Sequence, residues 1–185
     1  NAVSWNPMEP MYFAVASEDH NGYIFDMRML NKRAVNVLSG AVGAVMDIQY
    51  SPTGLQLATA SYDRSVRLYD HQHGTPRDVY TNRRQQRVFT VSYTADSHYL
   101  LSGSDEGVVR LWRSRADRRP GPTSTRESAA LQYQDALKQR FAHAPEIKRI
   151  ASHRHLPGWM RREGRRTRQH EESVKRKEEN VARHN

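Results

Sequence analysis

One short pattern recurs along the first 113 residues with a period of about 43, and it limits what the chain can fold into more than any other feature. VSWNP at 3–7 is followed by FAVASEDHNGYIFD at 13–26. VMDIQYSPTG at 45–54 is followed by LATASYDRSVRLYD at 57–70, and VFTVSYTADS at 88–97 by LLSGSDEGVVRLW at 100–112. Phe25, Tyr69 and Trp112 are equivalent, 44 and 43 residues apart, and Asp19, Asp63 and Glu106 follow the same offsets.

Each unit reads as three strands and a variable fourth. Val45, Ile48 and Tyr50 make an apolar run closed by the turn sequence Ser51-Pro52-Thr53-Gly54. The segment 57–60 is a strand of small buried residues, Asp63-Arg64 turns the chain, and 66–70 alternates as a half-exposed strand. The outer fourth strands are expected at 35–38 and 78–80, and the third unit lacks one. An acid at one turn position of every repeat serves structure rather than catalysis. There is no Ser–His–Asp arrangement, no phosphate-cradling glycine loop and no paired carboxylates, so the chain is expected not to be an enzyme.

ASYDRSVRLYD at 60–70 and SGSDEGVVRLW at 102–112 resemble WD repeats, the blade unit of β-propellers. The Gly-His dipeptide expected before each first strand is Gly40-Ala41 in one unit and unrecognisable near Arg83-Arg84 in the next, which weakens the usual His–Asp–Ser–Trp network. Propellers need about four to eight blades. The expected fold is therefore an all-β WD-repeat propeller fragment, about three blades of a seven-bladed ring, followed by an α-helical basic extension. The chain opens at Asn1 in mid-pattern, so an N-terminal part of a longer protein is expected to be missing. The expected division is 1–113 for the blades (1–40, 41–82 and 83–113), 114–123 for a linker and 124–185 for a helical basic domain.

The charge is unevenly placed. Residues 1–113 carry 11 basic and 11 acidic side chains, and the rest carry 18 basic against 9 acidic. The whole formal charge of +9 thus lies in the extension, which points to an acidic partner. With no cysteine, disulfides and thiolate chemistry are excluded. No apolar run reaches the roughly 18 residues of a membrane span, and a signal peptide is not evident.

Pro120-Gly121-Pro122 breaks the sheet region. Ser124 through Glu127 is a capping box, and Ala130, Tyr133, Leu137 and Phe141 then recur as one apolar helical stripe, expected to dock on the propeller or a partner. Pro145-Glu146 starts a second short helix, and 153–157 follows as a knuckle. From Gly158 the sequence permits helix but has few large apolar residues, so it is expected to depend on a partner for order. The pair His153 and His155 lacks a third ligand, so no metal or other cofactor is expected.

The succession TSTRESAALQYQDALKQRF at 123–141, PEIKRIASHRHLP at 145–157 and a basic run beyond closely resembles the C-terminal domain of the Sof-type WD-repeat family. IKRIASHRHLP at 147–157 is its specific part, and SEDHNGYIFDMR at 17–28 is similar to that family's fifth blade. The resemblance implies a nuclear, nucleolar, non-catalytic scaffold of the small-subunit processome in ribosome biogenesis. Its partners would be pre-ribosomal RNA, small nucleolar RNP and other processome proteins, with no membrane and no small-molecule substrate.

The residues offered to that RNP are Lys148, Arg149, Arg154 and His155 around the knuckle, then Arg161, Arg162, Arg165, Arg166 and Arg168, then Lys175, Arg176 and Lys177. Glu171, Glu172, Glu178 and Glu179 could instead pair with them on a merely solvated helix. Trp159 can stack on a base, or it can cover an apolar patch with Met160 and Leu156, and their clustering favours the patch. Finally, Phe25, Asp26 and Arg28 resemble the aromatic-Asp-x-Arg ending by which WD-repeat substrate receptors bind the adaptor of cullin-RING ubiquitin ligases, with Phe in place of Trp.

Overall fold

The computed structural model describes residues 1–30, 33–117 and 121–184. The break expected at Pro120 lies outside the described residues. Among these, three antiparallel sheets follow one another along the chain. The first is β1 (Ala2–Trp5), β2 (Tyr12–Ala16), β3 (Gly22–Asp26) and β4 (Asn36–Leu38), in that spatial order. The second is β5 (Val45–Tyr50), β6 (Gln56–Ser61), β7 (Ser65–Asp70) and β8 (Asp78–Thr81). The third has β9 (Val88–Tyr93), β10 (Tyr99–Ser104) and β11 (Val109–Arg113). Three helices follow: α1 (Thr125–Arg140), α2 (Pro145–Ser152) and α3 (Gly158–His184).

The middle sheet is buried on both faces, and its alternation explains how. Leu57 and Tyr69 point into one apolar cluster with Ala14, Ile24 and Leu38 of the first sheet. Ala58, Ala60, Val66 and Leu68 point the other way, into a second cluster with Val88, Val91 and Leu100 of the third. Period-two strands thus stitch three sheets face to face, each large side chain contributing about 1.5–3 kcal/mol by burial. The small residues of β6 let the neighbouring β9 approach.

The turn acids hold each β-turn in the same way. Asp63 pairs with Arg67 at 2.6 Å, Glu106 pairs with Arg110, and Asp19 accepts the hydroxyl of Tyr23, each partner four residues on. The residue after each acid lies in the left-handed region: His20 at φ 73°, Arg64 at 62° and Gly107 at 73°. Only the last is a glycine, so His20 and Arg64 hold a strained backbone, costing about 1 kcal/mol or more, that the acid's hydrogen bonds impose. The missing Gly-His dipeptide is replaced by backbone: the Val42 N–H donates to Asp63 Oδ2 at 3.0 Å. In the third sheet Trp112 Nε1 still donates to Ser102 Oγ at 2.8 Å.

The outer faces stay apolar and open. Val3 and Trp5 of β1, and Val109 and Leu111 of β11, are all more than half exposed.

Packing separates two compact units, Asn1–Ser114 with the segment from Leu156 onward, and Arg115–His155. Met160 is buried and carries α3 with the sheets.

In the second unit, the Ser124 hydroxyl accepts the Glu127 N–H at 3.2 Å and starts α1. No residue of α1 is buried, and Tyr133 of its stripe is exposed. Pro145 opens α2, with Glu146 in its first turn.

Candidate nucleic-acid interface

Helix α3 is polar almost all round, yet it has one docked face. Met160, Glu163, Gly164 and Thr167 recur at i, i+3, i+4 and i+7, and all four are buried or half-buried. At Gly164 a side-chain carbon would sit 3.8 Å from Val42 Cγ2, so the helix runs over the loop that precedes β5. Met160 is 1 % exposed, and its Sδ accepts from Arg67 Nη2 at 3.4 Å.

Arg67 explains why a methionine belongs there. Its guanidinium is 1 % exposed in the middle of an apolar strand and is held by Asp63 and the Ser65 hydroxyl. Asp63 is itself fixed by the N–H groups of Val42 and Ser65. The pair sits at the end of the blade, and a soft, weakly accepting side chain closes it from water. Sequence reading missed Arg67. The signal was present as a basic residue four after each of two turn acids, inside strands that otherwise alternate apolar.

Docking that face turns the arginines outward. Between Gly158 and Arg168 there are five arginines and one glutamate, and Arg161, Arg162, Arg165, Arg166 and Arg168 are all exposed. Helical spacing spreads them over the side opposite Met160. Glu163 pairs with Arg166 at 2.7 Å in an exposed contact worth about 0.3–0.5 kcal/mol. Lys175, Arg176 and Lys177 continue the exposed basic side two turns on. The strip offers forked donors at helical intervals to phosphates.

Leu156, Trp159 and Met160 part company. Met160 is fully covered, Leu156 is half-buried, and Trp159 stays 37 % exposed with the Arg64 guanidinium 5.8 Å from its ring centre.

The knuckle residues lie in the other compact unit. Lys148, Arg149 and His155 are exposed. Arg154 is turned onto backbone, donating to the carbonyls of Ala151 at 2.5 Å and His153 at 2.9 Å. It thereby caps the C-terminal end of α2, where a cation is favoured.

At the end of the first blade, Arg28 grips Asp26 with two bonds, Nη2–Oδ2 at 2.8 Å and Nε–Oδ1 at 3.1 Å. The Asp26 carboxyl is held below its ordinary range by those bonds and by the Arg28 N–H. Phe25 stacks on Phe13 at 5.6 Å. The Arg28 side chain remains 62 % exposed at the surface.

Comparison with known proteins agrees with this architecture. Residues 114–185 match the Sof1-like domain, and 32–70 and 74–113 match the WD domain, G-beta repeat. The chain is 53 % identical over 157 residues to Protein SOF1 of Saccharomyces cerevisiae, which covers 85 % of this chain and 32 % of that protein. It is 43 % identical over 184 residues to DDB1- and CUL4-associated factor 13 of Danio rerio, covering 100 % of this chain and 41 % of that protein. The Homo sapiens protein of the same name is 43 % identical over 143 residues, covering 77 % of this chain and 32 % of its own length. The chain thus spans between about a third and two fifths of these relatives.

Proposed function

Because this chain belongs to the Sof-type family of WD-repeat proteins with a Sof1-like domain, we propose that it acts in ribosome biogenesis as a non-catalytic scaffold. In this reading the three sheets are blades five to seven of a seven-bladed ring, whose adjoining blades cover Val3, Trp5, Val109 and Leu111. The scaffold works in the nucleolus, in the small-subunit processome, and supports processing of small-subunit ribosomal RNA. The residues from 124 onward form its basic arm, which contacts pre-ribosomal RNA and small nucleolar RNP. The observation that carries this reading is the docking of Met160 on Arg67, which holds the arginines of α3 on the outward side.

The RNA-facing claim has a direct test. Replacing Arg161, Arg162, Arg165 and Arg166 with Gln is expected to weaken binding of single-stranded RNA about ten-fold or more near physiological salt. The slope of log affinity against log salt should fall by about 0.7 for each phosphate no longer neutralised by an arginine. Unchanged affinity and slope would sink the claim. Lys148, Arg149 and His155 bind more weakly in the same reading, while Arg154 serves α2.

A second reading, as substrate receptor of a cullin-RING ubiquitin ligase, is favoured by the exposed Arg28, held by the buried Asp26 at the blade end, and by the names of the vertebrate relatives. It expects Arg28→Ala to abolish binding of the ligase adaptor, read by pull-down, while ribosomal RNA processing continues. Adaptor binding that survives Arg28→Ala removes the support this site gives.

A further inference from the structure

A hollow of about 570 Å³ opens between the second and third sheets, beneath the first turn of α3. It is lined by Tyr62, Arg64, Gln86, Arg87, Asp105 and Trp159. Two aromatic rings face it, each with a guanidinium nearby: Arg87 lies 5.3 Å from the ring centre of Tyr62, and Arg64 lies 5.8 Å from that of Trp159. Tyr62 is braced edge-on by Phe89 at 5.7 Å. Both rings remain 37 % exposed, although burying them would gain more. Arg64 sits at φ 62°, a conformation that its equivalent in the next blade gives to Gly107. The strained turn aims a guanidinium at the hollow where a glycine would be easier.

We propose that this hollow takes one unpaired nucleotide of an RNA strand, with the base stacked against Tyr62 and Trp159. The proposal rests on the reading above, in which the arm faces RNA, and adds a seat for a base. The chemistry separates this from an acidic peptide. Flat π faces and guanidinium planes suit a base on either side, whatever its sequence. Arg64 and Arg87 neutralise the flanking phosphates. Asp105 would repel a carboxylate or phosphate side chain, but it accepts the amino and imino N–H groups on a base edge. Gln86 offers both a donor and an acceptor to the same edge. Arg162 and Arg166 follow Trp159 at i+3 and i+7 on the same side of α3, so a strand leaving the hollow along the helix meets them next.

The test uses the full chain and a single-stranded RNA carrying one 2-aminopurine, whose fluorescence falls when it stacks. Binding is expected to quench the probe. The double variant Tyr62→Leu and Trp159→Leu should lose the quench and bind about ten-fold weaker, with the salt slope unchanged. Tyr62→Leu alone, which leaves α3 and Met160 untouched, should lose most of the quench. Neutralising the four α3 arginines should flatten the slope while the quench persists at saturating protein. If those arginines prove irrelevant and the quench still depends on Tyr62, the arm reading falls and the hollow stands. Binding without quenching, or quenching that survives the double variant, overturns the proposal. So does an oligo-glutamate peptide that displaces the RNA and depends equally on Tyr62, since the hollow is then a peptide site.

Discussion

Arg67→Ala is expected to cost about 3–5 kcal/mol, the range for stranding one partner of a buried ion pair. Both side chains of the Asp63–Arg67 pair are 1 % exposed, so Asp63 would be left as a buried charge with no counter-ion. It would keep the N–H groups of Val42 and Ser65, which places the cost toward the lower end. Even so the loss is a large part of the roughly 5–15 kcal/mol typical of a folded domain. An internal control exists one blade on. Arg110 pairs with Glu106 at the same turn position, but the pair is 15–20 % exposed. Arg110→Ala should cost clearly less than Arg67→Ala, because water reaches the Glu106 carboxylate left behind. The double variant Asp63→Asn with Arg67→Met should recover part of the loss. Asn keeps an acceptor for only one of the two N–H groups, which bond different oxygens of Asp63, while Met fills the guanidinium's space without its charge. Urea midpoints at constant m value read all four proteins. Equal costs at Arg67 and Arg110 would refute the argument that burial, rather than the pairing itself, sets the difference.

That contrast also marks how far the sequence could be read. The three sheets were legible because each strand is short, local and closed by chemically specific turns. Ser51-Pro52-Thr53-Gly54 and the turn acids determine register over a few residues, and alternation does the rest. The starts of α1 and α2 were legible for the same reason, through Ser124 and Pro145. Docking of α3 was not. The cluster of Leu156, Trp159 and Met160 pointed to an apolar patch on the propeller or a partner, but Met160 is buried against Arg67, 93 residues away, and nothing in the cluster announces that contact. The apolar stripe of α1 gave the opposite impression: spacing implies a covered face, yet Tyr133 is 66 % exposed. Periodicity reports what a helix offers, not what covers it. The strip of arginines was visible as composition, but the side they face became definite only once Met160 and Gly164 showed which side is docked. Arg64 was read only as a turn residue, and nothing in the sequence singled out Tyr62 or Arg87, because separate segments bring them together with Trp159.

If Met160 is what holds α3, then Met160→Lys should release it. The substitution removes about 2–3 kcal/mol of apolar burial and sets an ammonium beside the Arg67 guanidinium, so two cations would share one carboxylate. Trp159 in the same turn is only partly covered, and Gly164 costs the free helix about 1 kcal/mol. The released segment should therefore fray from its N-terminal end. Trypsin gives a sensitive readout, since Arg161, Arg162, Arg165 and Arg166 all lie in the docked part. Cleavage there is expected to quicken by roughly ten- to hundred-fold, as the open population tracks the docking energy removed, at about 1.4 kcal/mol per factor of ten. The sheets should keep their own urea midpoint, because water can solvate the uncovered ion pair. Met160→Leu keeps an apolar lid but lacks the sulfur acceptor, and it should cost about 1 kcal/mol or less. Cleavage that stays at the wild-type rate in Met160→Lys would mean that side chains other than Met160 fix the helix. The outward placing of the arginines would then need another cause.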